Sequence, residues 1–254
     1  MLWCTFVIYY DKFVVVGVRY YFRSYAPNVQ VKNVKMVGGW TYNTDGIATG
    51  DNGTVSDTFI FSNDDSIKLY SSNMIVEDTI IWQQANGGTF QLGWWGSHSQ
   101  RNISVARVTV IHREGNSVSR TNSVERTQYA ITDAPSNDGL IDLRGPTSSE
   151  GGDGSYEISD VVFTNITVEG TMVPRGVGGT AMPSGCAFLL MIDLGVATGY
   201  LENITLMNIQ CDAQFVLLVL TSRLNVDYHA ESMSNYECRF PSLLVASEDQ
   251  VDLV

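Results

Sequence analysis

A short strand-like unit recurs along the chain and constrains the fold more than any other feature of the sequence. The unit reads apolar, polar, Asn or Asp, then Val, Thr or Ile, any residue, and a final apolar residue. Its copies begin at Val31, Val55, Val76, Ile103 (a looser copy), Ile158 and Leu201. Successive copies are 24, 21, 27, 55 and 43 residues apart. Recurrence on this scale is typical of solenoids, in which each repeat packs only on its neighbours.

The spacing and the residue types together favour strands over helices. Steps shorter than about 30 residues leave no room for a strand–helix–strand crossover. The units are rich in β-branched residues and alternate in polarity, as half-buried strands do. A leucine-rich repeat is the alternative solenoid, but its Leu-x-x-Leu-x-Leu ladder is absent. The sequence therefore predicts an all-β fold, a right-handed parallel β-helix, with one degenerate extra coil inside each of the two long steps.

The repeat also suggests a domain organisation. Residues 28–224 are predicted to form a parallel β-helix catalytic domain. Residues 1–27 are an uncertain N-terminal segment, with a poor signal-peptide pattern that fits a buried strand or sequence foreign to the parent gene equally well. Residues 225–254 carry no copy of the unit and form a C-terminal tail of unknown role. The polar stretch 112–137 predicts a long loop on the flank of the solenoid.

Charge and composition exclude several classes of protein. Fifteen Lys and Arg against 27 Asp and Glu leave a formal charge of −12, which disfavours nucleic acid as a partner because phosphates repel an acidic surface. The sequence contains no run of 18 uncharged apolar residues, so it predicts no membrane-spanning helix. Four scattered cysteines indicate neither a disulfide framework nor a zinc site. Four Asn-x-Ser/Thr sequons are compatible with secretion, at Asn52, Asn102, Asn165 and Asn203.

A second strand follows each unit, and its alignment brings acidic residues together. When Ile47, Ile67 and Phe90 are aligned, Asp45, Asp65 and Gly88 fall in one column on three successive coils. Asp138-Gly139-Leu140 is predicted to occupy the comparable place in a later coil. Paired strands lie about 4.8 Å apart. The carboxylates of Asp45, Asp65 and the adjacent Asp64 should therefore repel one another and titrate as a coupled group.

Such a group suits glycosidic cleavage, although a turn-forming role and calcium binding stay open for the same residues. A protonated carboxyl can donate to the leaving oxygen while a carboxylate activates water on the other face of the sugar. Asp-Gly and Asn-Asp dipeptides are also common in turns, so turn formation would by itself explain each acid taken alone. Three carboxylates could instead hold calcium.

Aromatic and polar residues flank the predicted acidic column and indicate a glycan groove. Aromatic faces stack on sugar rings, while Lys, Asn and Gln hydrogen-bond hydroxyl groups. For any one of the aromatics, core packing is an equal alternative. Trp94 and Trp95 are adjacent, so both cannot point into the core of one strand. The candidate substrate-binding residues are Trp40, Lys68, Tyr70, Trp82, Asn86, Gln91, Trp94 and Trp95.

An ordered series of motifs resembles glycoside hydrolase family 49, the dextranase and isopullulanase family. It comprises Gly39-Trp40, 43–47 (Asn-Thr-Asp-Gly-Ile), 62–70 (Ser-Asn-Asp-Asp-Ser-Ile-Lys-Leu-Tyr), Ile81-Trp82, Asn86-Gly87, 91–94 (Gln-Leu-Gly-Trp) and 110–112 (Val-Ile-His). The resemblance covers about residues 28–113, less than half of the chain, and we find no family motif after it.

The resemblance implies a dextranase-like O-glycosyl hydrolase that cleaves α-glucans, dextran- or pullulan-like, with inversion on a right-handed β-helix. By position, Asp64 corresponds to the general acid, and Asp45 and Asp65 to the pair that activates water. It implies no metal and no cofactor. We expect a secreted, extracellular monomer acting on a polysaccharide. The family's enzymes are much larger, and we expect this chain to lack their N-terminal β-sandwich.

Three other functions compete with this interpretation. A polygalacturonase-like pectin hydrolase shares the fold and the Asn-Thr-Asp and Asp-Asp arrangement, but its Gly-His-Gly and Arg-x-Lys motifs are absent, since His98, His112 and His229 lie in other contexts. A non-catalytic glycan-binding β-helix would keep the groove without the chemistry. A calcium-dependent lyase would need a basic residue as its base, and Lys68 is the only one adjacent to the acids.

Overall fold

A computed structural model describes residues 9–10, 14–16, 20–37, 44–83, 87–93, 99–113, 139–144, 155–169, 186–193, 198–211, 214–220, 226–231 and 243–245. Within these ranges the regular structure consists of strands in two sheets. Sheet 1 contains β1 (Tyr9–Tyr10), β2 (Val14–Val16), β4 (Gln30–Lys32), β5 (Lys35–Val37), β7 (Thr54–Ser56), β8 (Phe59–Ser62), β10 (Ile75–Gln83), β12 (Gln100–Arg113), β14 (Ser155–Val168), β16 (Thr198–Cys211) and β18 (Val226–Glu231). Sheet 2 contains β3 (Tyr20–Arg23), β6 (Asp45–Ala48), β9 (Ile67–Leu69), β11 (Phe90–Gly93), β13 (Gly139–Arg144), β15 (Cys186–Asp193), β17 (Gln214–Leu220) and β19 (Leu243–Val245).

The chain alternates between the two sheets, and each strand pairs in parallel with the strand one coil away. Sheet 2 runs in the order β3-β6-β9-β11-β13-β15-β17-β19, which is the chain order of its strands. In the first coils sheet 1 receives two short strands per coil, β4 with β5 and β7 with β8, and from β10 onward one long strand takes the place of both. This is the parallel β-helix that the repeat predicts, and that prediction is confirmed.

The register confirms the first part of the repeat and corrects the rest. Val31 pairs with Val55, and Val55 with Val76, as predicted. Val76 then pairs with Val105, so the looser copy placed at Ile103 is two residues out. β12 pairs directly with β14, and β14 with β16, so the extra coils predicted inside the two long steps do not exist.

The copies placed at Ile158 and Leu201 are also out of register with the earlier ones. They pair with each other, but Ile158 pairs with Gln100, five residues before Val105. The reason is that sheet 1 contains two columns of left-handed residues, five positions apart, with similar sequence around each. The first column is Asn28, Asn52, Asn73, Asn102, Asp160 and Asn203, and the second is Asn33, Asp57, Asp78, Arg107, Asn165 and Asn208.

Asn and Asp tolerate positive φ better than other residues with a Cβ, which explains why the repeat selects them. Four exposed members of the first column also bond to one another. Asn52 Nδ2 donates to Asn28 Oδ1 (3.2 Å), Asn73 Nδ2 to Asn52 Oδ1 (3.0 Å), and Asn102 Nδ2 to Asn73 Oδ1 (3.1 Å). We call Asn28, Asn52, Asn73 and Asn102 the asparagine ladder. The four sequon asparagines all lie in the two columns, so the sequons have a structural origin.

The space between the sheets is filled by stacked apolar side chains. Ile47, Ile67, Phe90 and Ile141 stand in one inward-facing row of sheet 2, with at most 1% of each residue exposed. Phe90 meets Phe163 of sheet 1 with ring centroids 5.5 Å apart. Burying each such side chain stabilises the fold by roughly 1.5–3 kcal/mol. Because Phe90 pairs with Ile141 and not Leu140, the predicted alignment of Asp138-Gly139-Leu140 is wrong by one residue.

The paired strands extend on both sides of the predicted range 28–224. β1, β2 and β3 pair with β4, β5 and β6, while β18 and β19 pair with β16 and β17. Of the predicted loop 112–137, residues 112 and 113 complete β12 and the remainder lies outside the described residues. Within the described ranges, no helix has the length and apolarity needed to cross a membrane.

Candidate active site

The start of sheet 2 brings the predicted acidic residues together. Ile47 pairs with Ile67, and Ile67 with Phe90, so Asp45, Asp65 and Gly88 stand in one column, as the alignment predicted. Backbone bonds fix the stacking, because Gly46 N donates to Asp65 O (2.9 Å) and Ser66 N donates to Gly88 O (3.1 Å). Asp64 precedes Asp65 on the same turn. We call Asp45, Asp64 and Asp65 the carboxylate cluster.

A lysine amine lies between two members of the carboxylate cluster. Lys68 Nζ is 3.2 Å from Asp45 Oδ2 and 2.5 Å from Asp65 Oδ2. The three residues are buried, with 8%, 6% and 1% of Lys68, Asp45 and Asp65 exposed. Asp65 is held from its other side as well, since Gly88 N donates to its Oδ1 (3.1 Å). The Lys68 amine also lies 5.5 Å from the centre of the Tyr70 ring.

Asp64 differs from the other two carboxylates in its surroundings. Its side chain is partly exposed, and its Oδ1 accepts a hydrogen bond from Asp65 N (2.8 Å). The Lys68 ion pairs go to Asp45 and Asp65. Asp64 is therefore largely buried, but less completely than the cation-bridged pair beside it.

The surroundings shift the protonation equilibria of the site in different ways. Burial raises the pKa of Asp45 to about 6, although Lys68 opposes the shift. Burial, followed by the negative charges of Asp65 and Asp45, raises the pKa of Asp64 well above its usual range. Burial alone would lower the pKa of Lys68, but the charges of Asp65 and Asp45 hold it above its ordinary value. Burial raises the pKa of the Tyr70 phenol, which stays neutral.

A buried polar network below the cluster holds the Asp64 backbone, and the sequence did not lead us to predict it. Gln83 Nε2 donates to Asp64 O (3.0 Å), and Gln83 Oε1 accepts from Ser66 Oγ. Ser62 Oγ lies 2.6 Å from Ser66 Oγ and also donates to Asp64 O (3.3 Å). Ser62 and Gln83 are paired in register on neighbouring coils. A polar residue recurring at the inner end of successive strands was the signal that could have revealed the network.

Gly87, on the next coil, packs against the backbone of Asp64 and Asp65. Its φ is +75°, which favours glycine, and a Cβ built there would lie 2.3 Å from Asp65 N and 2.7 Å from Asp64 Oδ1. The backbone of this coil therefore lies directly against the Asp64–Asp65 peptide. Only a residue without a side chain fits at this contact.

The structure brings some of the predicted substrate-binding residues to the cluster. Lys68 and Tyr70 lie against it, and Gln91 pairs with Lys68 on the next coil and is fully buried. Trp82 lies in sheet 1, where its ring packs edge-on against Phe61 (centroids 5.1 Å apart, planes at 82°). Trp40, Asn86, Trp94 and Trp95 lie outside the described residues.

A cleft of about 410 Å³ adjoins Tyr70. Its lining combines two aromatic rings with hydroxyl and carboxylate groups, and it consists of Tyr25, Gly50, Asp51, Tyr70, Ser71, Ser72 and Ser99. Tyr25 is 70% exposed. Such a lining offers both stacking and hydrogen bonds to a polar ring-shaped ligand.

Calcium binding was the alternative use that the sequence allowed for the carboxylate cluster. Among the described residues, no group of three or more His, Cys, Asp or Glu side chains is arranged to hold a metal ion. The position between Asp45 and Asp65 that a cation would take is occupied by the Lys68 ammonium.

Comparison with known proteins finds relatives over part of the chain. A dextranase of Arthrobacter sp. (strain CB-8) is 39% identical over 103 residues, which are 41% of this chain and 15% of the relative. A dextranase of Talaromyces minioluteus is 35% identical over 83 residues (33% of this chain, 14% of the relative), and an isopullulanase of Aspergillus niger is 24% identical over 146 residues (56% and 24%). No protein-family model matches the sequence.

A solved structure supports the same relationship at the level of the fold. Dex49A from Penicillium minioluteum superimposes with a TM-score of 0.51 at 19% identity, covering 84% of this chain and 35% of that protein. This chain thus spans between about a seventh and a quarter of the curated relatives it matches. The parallel β-helix and these matches together relate the chain to glycoside hydrolase family 49, the dextranase and isopullulanase family.

Proposed function

We propose that this chain carries the catalytic centre of an inverting α-glucan hydrolase, dextran- or pullulan-like in its substrate, with Asp64 as general acid and Asp45 and Asp65 as the pair that activates water. The observation that carries the proposal is the unequal environment of three neighbouring carboxyl groups. One is less completely buried and has a pKa well above its usual range, whereas the other two are bridged by an ammonium group.

The chemistry follows from that inequality. Asp64 gives its proton to the glycosidic oxygen as the bond from the anomeric carbon to that oxygen breaks. Water attacks the same carbon from the opposite face and loses a proton to the Asp45–Asp65 pair. Exchange of protons with solvent then returns Asp64 to the acid form and the pair to its charged form. Two carboxyl groups in these roles give inversion at the anomeric carbon.

The charge of the protein favours a neutral polysaccharide over a polyanionic one. The chain has a formal charge of −12, and Lys68 is already engaged by Asp45 and Asp65. A uronate chain would bring further negative charge to three carboxyl groups, which costs binding energy. A glucan carries only hydroxyl groups, which suit the cleft beside Tyr70. Because an intact polysaccharide does not enter cells freely, an extracellular location fits this substrate and stays a prediction.

The experiment measures release of reducing ends from dextran, pullulan and polygalacturonate by the intact chain, with and without chelator. Asp64→Asn should lower kcat on the glucan by about 10²- to 10⁴-fold, the usual contribution of a general acid. Asp57→Asn is the matched control, since it makes the same chemical change at an exposed position between β7 and β8. It should leave kcat unchanged.

The outcomes separate the competing functions. Activity on a glucan that survives chelator and is lost in Asp64→Asn supports the proposal. Unsaturated, ultraviolet-absorbing products that depend on calcium would indicate a lyase, and activity only on polygalacturonate would indicate a pectin hydrolase. Binding of dextran by the folded chain without any cleavage would indicate a glycan-binding β-helix. Inversion is checked by proton NMR, which should detect the β-anomer first among the products.

A further inference from the structure

Lys68 was predicted from the sequence to bind substrate hydroxyl groups, but its contacts indicate a different use. Its amine is within 3.2 Å of Asp45 Oδ2 and 2.5 Å of Asp65 Oδ2, and 8% of the residue is exposed. An ammonium group has three donors. Two are directed at carboxylates, and Tyr70 covers a further side of the amine. The side chain is therefore engaged within the site and does not reach toward a passing sugar.

The position of Lys68 follows from the geometry of the coil. Ile67 and Leu69 point into the core, so Lys68 between them points to the outer face of β9. It pairs with Ala48 on the previous coil, and the small Ala48 side chain leaves room for the lysine to extend along the face toward Asp45. The amine thereby connects two successive coils at the point where the carboxylate column begins.

The charge balance of the site depends on this one side chain. Asp45 and Asp65 are buried at neighbouring positions, and unpaired buried carboxylates tend to take up protons. The other charged groups that act on Asp45 are Asp65, which raises its pKa, and the guanidinium of Arg23 on β3, which lowers it. Asp64 and Tyr70 are the remaining titratable groups of the site. Arg23 is exposed, and it lowers the pKa of Asp45 less than Lys68 does. Lys68 is thus the main group that opposes protonation of Asp45.

We infer that Lys68 is a positioning residue, which clamps Asp45 and Asp65 from adjacent coils into one charged, fixed pair able to hold and deprotonate the attacking water. The inference rests on the proposed function and deepens it. It assigns the lysine to water activation and not to recognition of the sugar. Asp64 lies beside the two ion pairs of Lys68, which fits the opposite role proposed for it, that of an acid.

The test combines kinetics with a measurement that needs no activity. In Lys68→Met, the pH titration of the Asp45 carboxyl carbon, followed by ¹³C NMR, should move upward by about one pH unit or more, because an opposite charge has been removed. The acidic limb of kcat/KM on the glucan should move upward with it. We expect kcat to fall about 100-fold while KM changes by less than about 3-fold, the pattern of a group that acts on the chemical step.

Two further variants keep the test decisive. Lys32→Met removes a lysine that is exposed and paired with Asp57 (3.5 Å), so it changes the net charge equally and should leave the Asp45 titration where it is. Lys68→Arg keeps the charge and guards against a Lys68→Met protein that does not fold. Its acidic limb should stay within about 0.3 pH units of the unaltered protein, even if the different shape of the guanidinium lowers kcat.

The results distinguish failure of the inference from failure of the proposed function. An unmoved Asp45 titration and acidic limb, with KM raised more than about 10-fold, would overturn the inference and return Lys68 to sugar binding. A displaced acidic limb in Lys68→Arg would overturn it as well. A folded chain that cleaves no glucan, but whose Asp45 titration moves in Lys68→Met, would overturn the hydrolase proposal and support the clamp.

Discussion

The asparagine ladder and the carboxylate cluster share the same coil-to-coil spacing, but neighbouring side chains attract each other in the ladder and repel each other in the cluster. The ladder stacks exposed Asn28, Asn52, Asn73 and Asn102, each donating to the one before. The cluster stacks buried Asp45 and Asp65 and adds Asp64 beside them. The ladder lies in sheet 1, and the cluster lies at the start of sheet 2.

The difference between the two follows from the functional groups. An amide has both donor and acceptor, so identical asparagines displaced by one coil satisfy each other. An ionised carboxylate only accepts, so identical aspartates in the same arrangement repel. The cluster therefore needs other donors, which are the Lys68 amine and the Gly88 backbone. A stack of amides therefore stabilises a solenoid, whereas a stack of carboxylates lowers its stability and places titratable groups side by side.

The largest effect on stability is expected at the glycine that lies against the cluster. Gly87→Ala should lower the free energy of unfolding by about 2–4 kcal/mol, from a Cβ that meets the Asp64–Asp65 backbone and from positive φ. Activity should fall as well, since Asp65 must move. Chemical denaturation and kcat measure the two effects.

A ladder position provides the control for that substitution. Asn73→Ala also places alanine at positive φ (57°), but on an exposed site. It should lose about 1–2 kcal/mol, from strain and from two hydrogen bonds to Asn52 and Asn102, with kcat unchanged. Equal losses in the two variants would contradict the view that the cluster coil is the more tightly packed region.

A smaller effect on Tm is expected from a change of charge, and its sign should differ between the carboxylate cluster and the asparagine ladder. The pKa of Asp64 is raised in the folded protein, so folding favours its protonated form. The associated stability is present below the unfolded pKa and is lost as pH rises through the folded one. Asp64→Asn keeps the Oδ1 acceptor for Asp65 N and removes the charge. Its Tm should exceed that of the unaltered protein at pH 7 and match it near pH 4.

The counterpart in the ladder is Asn73→Asp, which should behave in the opposite way. It replaces the Nδ2 donor to Asn52 Oδ1 by a charged acceptor, so Tm should fall at pH 7. At pH 3 the protonated acid can donate again, and the difference should shrink. Thermal unfolding of both variants at three pH values measures this. A higher Tm for Asn73→Asp at pH 7 would show that the ladder does not depend on its amides.

The sequence predicted the fold class because strand pairing in a solenoid is local and repeated. Val31, Val55 and Val76 were aligned correctly since each coil there is short. The later copies were misaligned because the two left-handed columns, five residues apart, select the same residue types. Hydrophobic pattern alone does not distinguish two such columns, whereas backbone pairing does.

The sequence also predicted the stacking of Asp45, Asp65 and Gly88, since one alignment of buried residues sets the whole column. It did not predict the Lys68 bridge or the Ser62–Ser66–Gln83 network. Both depend on where side chains turn once the strands are paired. The lysine was assigned to sugar hydroxyls on residue type, but its reach along the face depends on Ala48 opposite, which only the register reveals.

The smallest effect on Tm is expected at Arg107, the one arginine in a left-handed column of sheet 1 that otherwise consists of Asn and Asp among the described residues. Arg107 lies at positive φ (53°) in the second left-handed column, where its guanidinium bonds to Asp78 (2.7 and 2.9 Å) and Glu77 (2.7 Å). These pairs are exposed, and exposed pairs contribute little and weaken with salt. In Arg107→Asn the new amide can donate to Asp78, as Asn203 does to Asp160 at 2.7 Å, and asparagine tolerates this φ better.

We therefore expect the Tm of Arg107→Asn to change little at low salt and to lose its dependence on NaCl. Arg101→Asn, an exposed position on the same strand, is the control and should keep that dependence. A large fall in Tm for Arg107→Asn at low salt would mean that charge pairing, and not the geometry of the left-handed column, holds these coils together.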